Sequence, residues 1–318
     1  MKCKQQVKKN NAKNIDVLLS TYNGELFLSE QIESLLAQNY HDWSLIVRDD
    51  GSTDKTIEII KTYVKKYPDK IYFVNDQLGE ERLGACQSFA RLLCFSSAKY
   101  TIFCDQDDIC FPNKYLKTLD KIQELEAMYG EQTPLLIHTD LQVVDRQLDM
   151  ISPSFWKYQN IDPRLGGLIS FLLIKNVVTG CALIMNEALR NRVGNIPSEA
   201  IMHDWWVVLV AAVFGKVAYL NCPTICYRQH SNNEVGAKRW CINYFLGKLK
   251  NIHEIKRNKN RIQVQTKMFL ETYKDEITDK KIINLLGAYA DLKLHIFFYK
   301  KIIALWRGIT FTFLRDYL

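Results

Sequence analysis

The chain has 318 residues, 47% hydrophobic and 24% charged, enough apolar material for one large globular domain and too much for a disordered or fibrous class. Its net charge of +7 is uneven: from Lys238 onward 17 Lys/Arg stand against 7 Asp/Glu, a surplus of ten that leaves the first 237 residues at −3. The longest uncharged apolar runs, Leu165–Ile174 and Trp205–Gly215, are too short to span a bilayer. The nine cysteines show no paired spacing and read as free thiols in a reducing compartment.

Met1–Asn14, with five lysines and no apolar stretch, reads as a disordered basic leader rather than a signal peptide. Ile15–Leu19 is a short apolar run entering the turn-rich Ser20-Thr21-Tyr22-Asn23-Gly24. Leu26, Leu28, Ile32, Leu35 and Leu36 then recur at helical spacing. Trp43–Val47 predicts a second strand, ending in Asp49-Asp50-Gly51-Ser52-Thr53-Asp54, with Asp54 as the N-cap of a helix over Ile57–Val64. Ile71–Val74 predicts a third strand, and Gly84 opens a helix through Leu93. Tyr100–Cys104 predicts a fourth strand, which runs into Asp105-Gln106-Asp107-Asp108. This alternation predicts an α/β fold with a Rossmann-like, doubly wound, mostly parallel sheet. Its ligand site belongs at the strand C-termini.

Three carboxylates within four positions repel one another, and a divalent cation relieves that repulsion. Oxygen ligands suit Mg2+ or Mn2+. The same residues would also serve as a solvated turn with Asp108 capping the next helix. No Gly-x-Gly-x-x-Gly follows the first strand and no Walker lysine loop occurs, so a glycine-rich phosphate cradle is excluded. A carboxylate at the second strand end can hold a base or ribose, while a carboxylate-bound cation at the fourth can hold a diphosphate.

Ser20–Gly24, Asp49–Asp54 and Asp105–Asp108 together resemble the three leading motifs of family 2 glycosyltransferases of GT-A fold, over about residues 15–235. The resemblance implies that Ser20, Tyr22, Asp50 and Asp105 contact the nucleotide. It also implies that Asp107 and Asp105 hold the metal, Asp107 more directly. Cys110 stands where that family often has an aromatic residue.

Further along, Leu135–Val144 predicts a strand in which His138 is a core histidine, and Leu165–Ile174 a buried helix or strand. Asn176–Ile184 is similar to the family's Thr-Gly strand, which would put Thr179 and Gly180 beside the donor sugar; a plain core strand would read the same way. Met202-His203-Asp204-Trp205-Trp206 precedes a helix rich in Val, Leu and Ala, so Asp204 could be an N-cap without chemistry. By resemblance it is the general base of an inverting single displacement. His203 and Trp205 would line the donor or acceptor pocket, Trp205 as an apolar wall or as core. Val217–Leu220 and Ile225–Arg228 predict closing strands, followed by His230, which in order fits a late metal ligand of this family.

Tyr227–Asn233, with the Asp105 and Asp204 motifs, is most similar to the rhamnosyltransferase-type branch. The resemblance implies a dTDP-linked donor, with dTDP-rhamnose the first candidate and a UDP-hexose the alternative; nucleotidyltransfer is the rival chemistry. The Gln-x-x-Arg-Trp motif of processive relatives fails, because Gly236 precedes Arg239-Trp240, so one sugar per encounter is expected. The expected domains are the leader 1–14, a catalytic domain 15–237 and a basic helical tail 238–318. In the tail, Ile302, Ile303, Leu305, Trp306 and Ile309 beside Lys300, Lys301 and Arg307 suit a helix resting on anionic lipid; helices packed on the catalytic domain or on a second copy are the other reading. The expected partners are a nucleotide-sugar, a saccharide or lipid-linked acceptor and an anionic membrane surface, with a homo-oligomer left open and no nucleic acid. The expected location is cytoplasmic, peripheral at the inner face of the cell membrane.

Overall fold

The structure, a computed structural model, describes residues 13–74, 82–230 and 252–291. Most of the leader, Arg239-Trp240 and the lipid-facing residues expected after position 291 lie outside the described residues.

Four strands, β1 (Ile15–Thr21), β2 (Trp43–Asp49), β3 (Ile71–Phe73) and β4 (Tyr100–Cys104), alternate with helices α1 (Leu28–Leu36), α2 (Thr56–Lys66) and α3 (Ala85–Leu93). All four strands are parallel, in the order β3-β2-β1-β4. Covered on both faces, such strands read as nearly continuous apolar runs. Side chains alternate between two cores, Leu18, Ile46 and Phe103 into one and Val17, Leu19, Leu45 and Ile102 into the other.

Beyond β4 the direction changes. The chain continues through β5 (Ile109–Cys110), α4 (Lys114–Tyr129), β6 (Leu135–Val144), β7 (Met150–Ser152) and α5 (Phe155–Gln159). A 3-10 turn at Pro163–Gly167 and the short helix α6 (Ile169–Leu172) account for the ambiguous Leu165–Ile174 run, which is helical turns and not a strand. Gly180–Ala182 is another 3-10 turn, so the expected Thr-Gly strand begins only at β8 (Leu183–Asn186). β8 runs antiparallel to both β4 and β6 and joins the two halves of the sheet. Helices α7 (Glu187–Val193) and α8 (His203–Phe214) follow. The two expected closing strands are one, β9 (Lys216–Arg228), which pairs parallel with β6 through two register shifts near Asp140.

Two local expectations change. Asp54 lies one residue before the cap position of α2, yet its carboxylate still accepts from Thr56 N at 3.0 Å. Asp108 does not cap α4, which starts six residues later. It is buried and accepts from Arg228 N at 3.1 Å, because β5 pairs antiparallel with the end of β9. Among the described cysteines Cys86, Cys104, Cys110, Cys181, Cys222 and Cys226 are free thiols, whereas Cys94 is in a disulfide, contrary to the all-thiol expectation.

The described part of the tail is two helices, α9 (Ile252–Tyr273) and α10 (Lys280–Ala290). Phe269, Tyr273, Ile277, Leu286 and Tyr289 are buried in the same core as Trp206 of α8. The Phe269 ring lies 5.3 Å from that of Trp206 and 4.9 Å from that of Tyr273, whose hydroxyl donates to Arg192 O and Val193 O at 3.2 Å. This stretch of tail therefore packs on the catalytic domain. Among the described residues no helix is long and apolar enough to cross a membrane.

Phe269→Ala should empty a fully buried site and cost about 3–5 kcal/mol. Urea unfolding followed by circular dichroism should show the midpoint fall. An unchanged midpoint would mean the tail does not share the core.

Candidate active site

Strand register brings the motifs to one edge. Thr21 pairs with Asp49 and Leu19 with Cys104, so the loops carrying Tyr22, Asp50 and Asp105 leave the sheet side by side. The first and third loops are stitched together by Gln106. Its Nε2 donates to Tyr22 O and its Oε1 accepts from Tyr22 N, both at 2.9 Å. A Cβ at Gly24 would run into the Gln106 amide, so the bare glycine lets this clamp close. The Arg82 guanidinium covers the Tyr22 ring at 4.1 Å.

Ser20 and Asp50 belong to one buried network. Ser20 Oγ donates to Ser88 Oγ at 2.6 Å, and Arg48 Nη1 donates both to Ser88 Oγ at 2.9 Å and to Asp50 Oδ1 at 2.5 Å. Asp50 also accepts from Leu83 N and Gly84 N at 2.8 and 2.7 Å, which ties the second strand end to the start of α3. Asp49 serves its own turn, accepting from Gly51 N and Ser52 N.

The acidic loop after β4 meets the end of β9. His230 Nε2 lies 2.8 Å from Asp107 Oδ2, joining residues 123 positions apart, and the His230 ring stacks on Phe27 at 4.9 Å. One ligand atom each of Asp105, Asp108 and Cys181 lies within 4.8 Å of the others. Asp108 Oδ2 is buried with no hydrogen-bond partner among the described residues. Burial, reinforced by Asp107 and then by Asp204, pushes the Asp105 carboxyl up to about 7. Beneath them the buried Lys114 Nζ donates to Cys181 O at 2.7 Å, a positive charge below the carboxylates. Crowded oxygens, an imidazole and an orphaned carboxylate atom fit a divalent cation.

Asp204 enters from the first turn of α8. A Cβ on Gly180 would lie 3.4 Å from Asp204 Cβ and 2.9 Å from His203 Nε2, so the Thr179–Gly180 turn packs its bare backbone against them. Burial pushes the Asp204 carboxyl up to about 7, against hydrogen bonds from the Trp205 and Gly180 backbone and the Asn176 side chain that pull it down. Its Oδ1 is buried without a partner among the described residues. His203 does not line the cleft. Its ring is stacked on Phe89 at 4.1 Å and edge-on to Phe103 at 4.6 Å, and burial pushes its pKa down to about 3. Trp205 is half-buried and tethered, its Nε1 donating to Leu172 O at 2.6 Å. His138 is a core residue, as expected.

The structure thus brings Asp105, Asp107, His230, Gly180 and Asp204 to one edge, with Ser20, Tyr22 and Asp50 beside them. The motifs did not point to Gln106, Arg82, Arg48 or Cys181, and they gave Asp108 the role of a helix cap. Gln106 lies between two aspartates, and only its contact across 84 residues reveals its clamp.

A mixed sheet of this topology, with acidic loops at the ends of its parallel strands, defines an α/β architecture with a polar site at one edge. The model of the family described as "Glycosyl transferase family 2" matches residues 16–192, more than half of the chain, and the chain belongs to that family. It is therefore a glycosyltransferase of GT-A fold. Among curated relatives it is 26% identical over 227 residues to the dTDP-rhamnosyl transferase RfbG of Shigella flexneri, covering 69% of this chain and 74% of that one. It is 37% identical over 134 residues to the putative glycosyltransferase EpsE of Bacillus subtilis, covering 42% of this chain and 47% of that protein. Among solved structures it superposes on the S. aureus TarS 1-349 complex with UDP with a TM-score of 0.53 and 15% identity, over 93% of this chain and 79% of that one. A mannosyltransferase of Pyrobaculum calidifontis, solved with GDP-Man and Mn2+, gives a TM-score of 0.50 at 14% identity, over 97% and 89% of the two chains.

The position of Asp204 carries a stability cost. Its ordinary value of 3.8 is raised to about 7, so the folded state holds this proton more tightly than the unfolded one. That stabilisation is complete below about pH 4 and is lost as pH rises through about 7. Asp204→Asn should match the parent near pH 4 and melt several degrees above it at pH 8, read by differential scanning calorimetry. An equal melting temperature at pH 8 would mean Asp204 is solvated.

Proposed function

We propose that the chain transfers one sugar, with inversion and with a divalent cation, from a nucleotide-diphosphate donor to a saccharide or lipid-linked saccharide during bacterial surface-polysaccharide synthesis. The observation that carries this is the meeting of Asp105, Asp107 and His230 with Asp204 at one sheet edge. Tyr22, Ser20 and Asp50 form the nucleoside end. Tyr22, with Arg82 over its ring, would border the base, while Ser20 and Asp50 hold the floor through Arg48 and Ser88.

Asp107, Asp105 and His230 would hold Mg2+ or Mn2+, which when bound neutralises the departing diphosphate. The buried Lys114, which donates to Cys181 O, offsets part of the charge of Asp105 and Asp108. Asp204, unpartnered at Oδ1, accepts the proton of the acceptor hydroxyl as that oxygen attacks the anomeric carbon. Gly180 packs its bare backbone against Asp204, and Thr179 and Trp205, each next in sequence to one of these two, would border the sugar. His203 supports the Asp204 turn from behind.

For the donor, the similarity to a dTDP-rhamnosyl transferase supports dTDP-rhamnose. A UDP-hexose is the second reading, supported by similarity to an E. coli enzyme named for transfer from UDP-Glc to a GlcNAc-diphosphoundecaprenol acceptor, 24% identical over 218 residues. Family membership sets nucleotidyltransfer aside. The basic, apolar composition after position 291 supports a peripheral site on an anionic membrane face, on the cytoplasmic side where nucleotide-sugars are made, with self-association as a further partner.

Asp204→Asn should lower transfer about 10²–10⁴-fold, the scale of a lost general base, while UDP or dTDP affinity holds. Retained transfer would remove Asp204 from the base role. His230→Ala should raise the Mn2+ concentration for half-maximal donor hydrolysis on the order of 10–100-fold. Turnover that survives EDTA would overturn the metal assignment. A panel of dTDP- and UDP-sugars, read by thermal shift, decides the donor.

A further inference from the structure

A cavity of about 590 Å3 opens between the loop at residues 198–201 and helix α9. One wall is Ser198, Glu199 and Ile201; the other is Arg257, Asn260 and Arg261. The last three fall at i, i+3 and i+4, one face of the helix. Two guanidiniums face one carboxylate, and that carboxylate, Glu199 Oε2, accepts from Ser198 Oγ at 2.9 Å. The cavity thus carries two guanidiniums against one carboxylate, with Ala200 and Val264 completing its lining, and a guanidinium is the side chain whose donors best match phosphate oxygens.

Its place matters as much as its charge. The loop is fastened on both sides: Ile201 N donates to the buried Gln265 Oε1 at 2.8 Å, Arg261 Nη2 donates to Ile201 O at 3.1 Å, and Gln87 Nε2 donates to Pro197 O at 2.9 Å. Asp204 is three residues beyond Ile201, so the chain can place no more than about 11 Å between them. One wall of the cavity therefore runs directly into the turn that carries Asp204.

We propose that this cavity binds the phosphate or diphosphate group of the acceptor, with Arg257 as its principal cation, and so presents the acceptor hydroxyl to Asp204. The presentation rests on Asp204 as the base; the anion site itself does not. A soluble phosphate ester and a membrane headgroup offer the same chemistry, and the test separates them.

Isothermal titration of the full chain with inorganic diphosphate in EDTA is the experiment. Without a cation the Asp105–Asp108 carboxylates repel that anion from the donor side, so binding reports the new site. Saturable binding is expected, weakened about tenfold or more by Arg257→Ala and largely kept by Arg257→Lys, as for loss and retention of a charged hydrogen bond. Unchanged melting temperatures would show that both variants fold. Absence of saturable binding, or equal affinity in Arg257→Ala, overturns the proposal. So does a fall in UDP affinity on Arg257→Ala in the presence of Mg2+, which would make the cavity part of the donor site. Binding to phosphatidylglycerol vesicles without binding to soluble diphosphate also overturns it. Failure of the base assignment would appear elsewhere, as transfer retained by Asp204→Asn.

Discussion

Like charge confined to one partly dry edge is the constraint on which the rest of this structure depends. Asp105, Asp107 and Asp108 follow one another at the end of β4, and Asp204 is close enough to raise the Asp105 carboxyl further. Carboxylates so placed would ordinarily be driven apart or into solvent. Here a rigid, wholly buried strand delivers them, Lys114 lies beneath them, the backbone of Arg228 binds Asp108, and the imidazole of His230 meets Asp107. Each of these restraints comes from a different part of the chain. The acidic edge is therefore a product of the complete fold.

The mixed half of the sheet serves that edge. A fully parallel sheet would have carried β8 and β9 away from the β4 loop. The antiparallel β8 turns the Thr179–Gly180 backbone toward α8, and the two-residue β5 captures the end of β9. The second pairing explains why Asp108 is a buried acceptor of Arg228 N and not a helix cap. A strand of two residues is too short to announce itself by alternation, and it decides where His230 goes.

Helix α8 is apolar nearly all round, so it must be covered on every side. Its inner face meets the sheet and α3, and its outer face, through Trp206, meets Phe269 and Tyr273 of α9. The tail thereby becomes a wall of the catalytic domain. Its Gln265 and Arg261 hold the loop that leads into Asp204. For the tail, packing on the domain was one of the expected readings, and in the described part the apolar residues pack inward while Arg257 and Arg261 line a cavity.

What the sequence determined by itself was whatever depends on local order. The apolar runs at Ile15–Leu19, Trp43–Val47 and Tyr100–Cys104, each ending in polar turns, specified parallel strands with a shared functional edge, and the three motifs specified the family. The positions of Asp105 and Asp107 after a strand and of Asp204 at the start of a helix were legible because the flanking residues declare the element type, whereas Gly180 read as strand and lies in a 3-10 turn. The tertiary structure alone decided the pairings across long separations. Gln106 clamps Tyr22 and Arg48 bridges Asp50 to Ser88, while Asp107 meets His230 and Ile201 is held by Gln265. It also moved His203 from the cleft into an aromatic stack. The reason is physical: periodicity reports which face of an element is apolar, but a hydrogen bond between distant loops depends on sheet order and register. Those emerge only when every element competes for the same core.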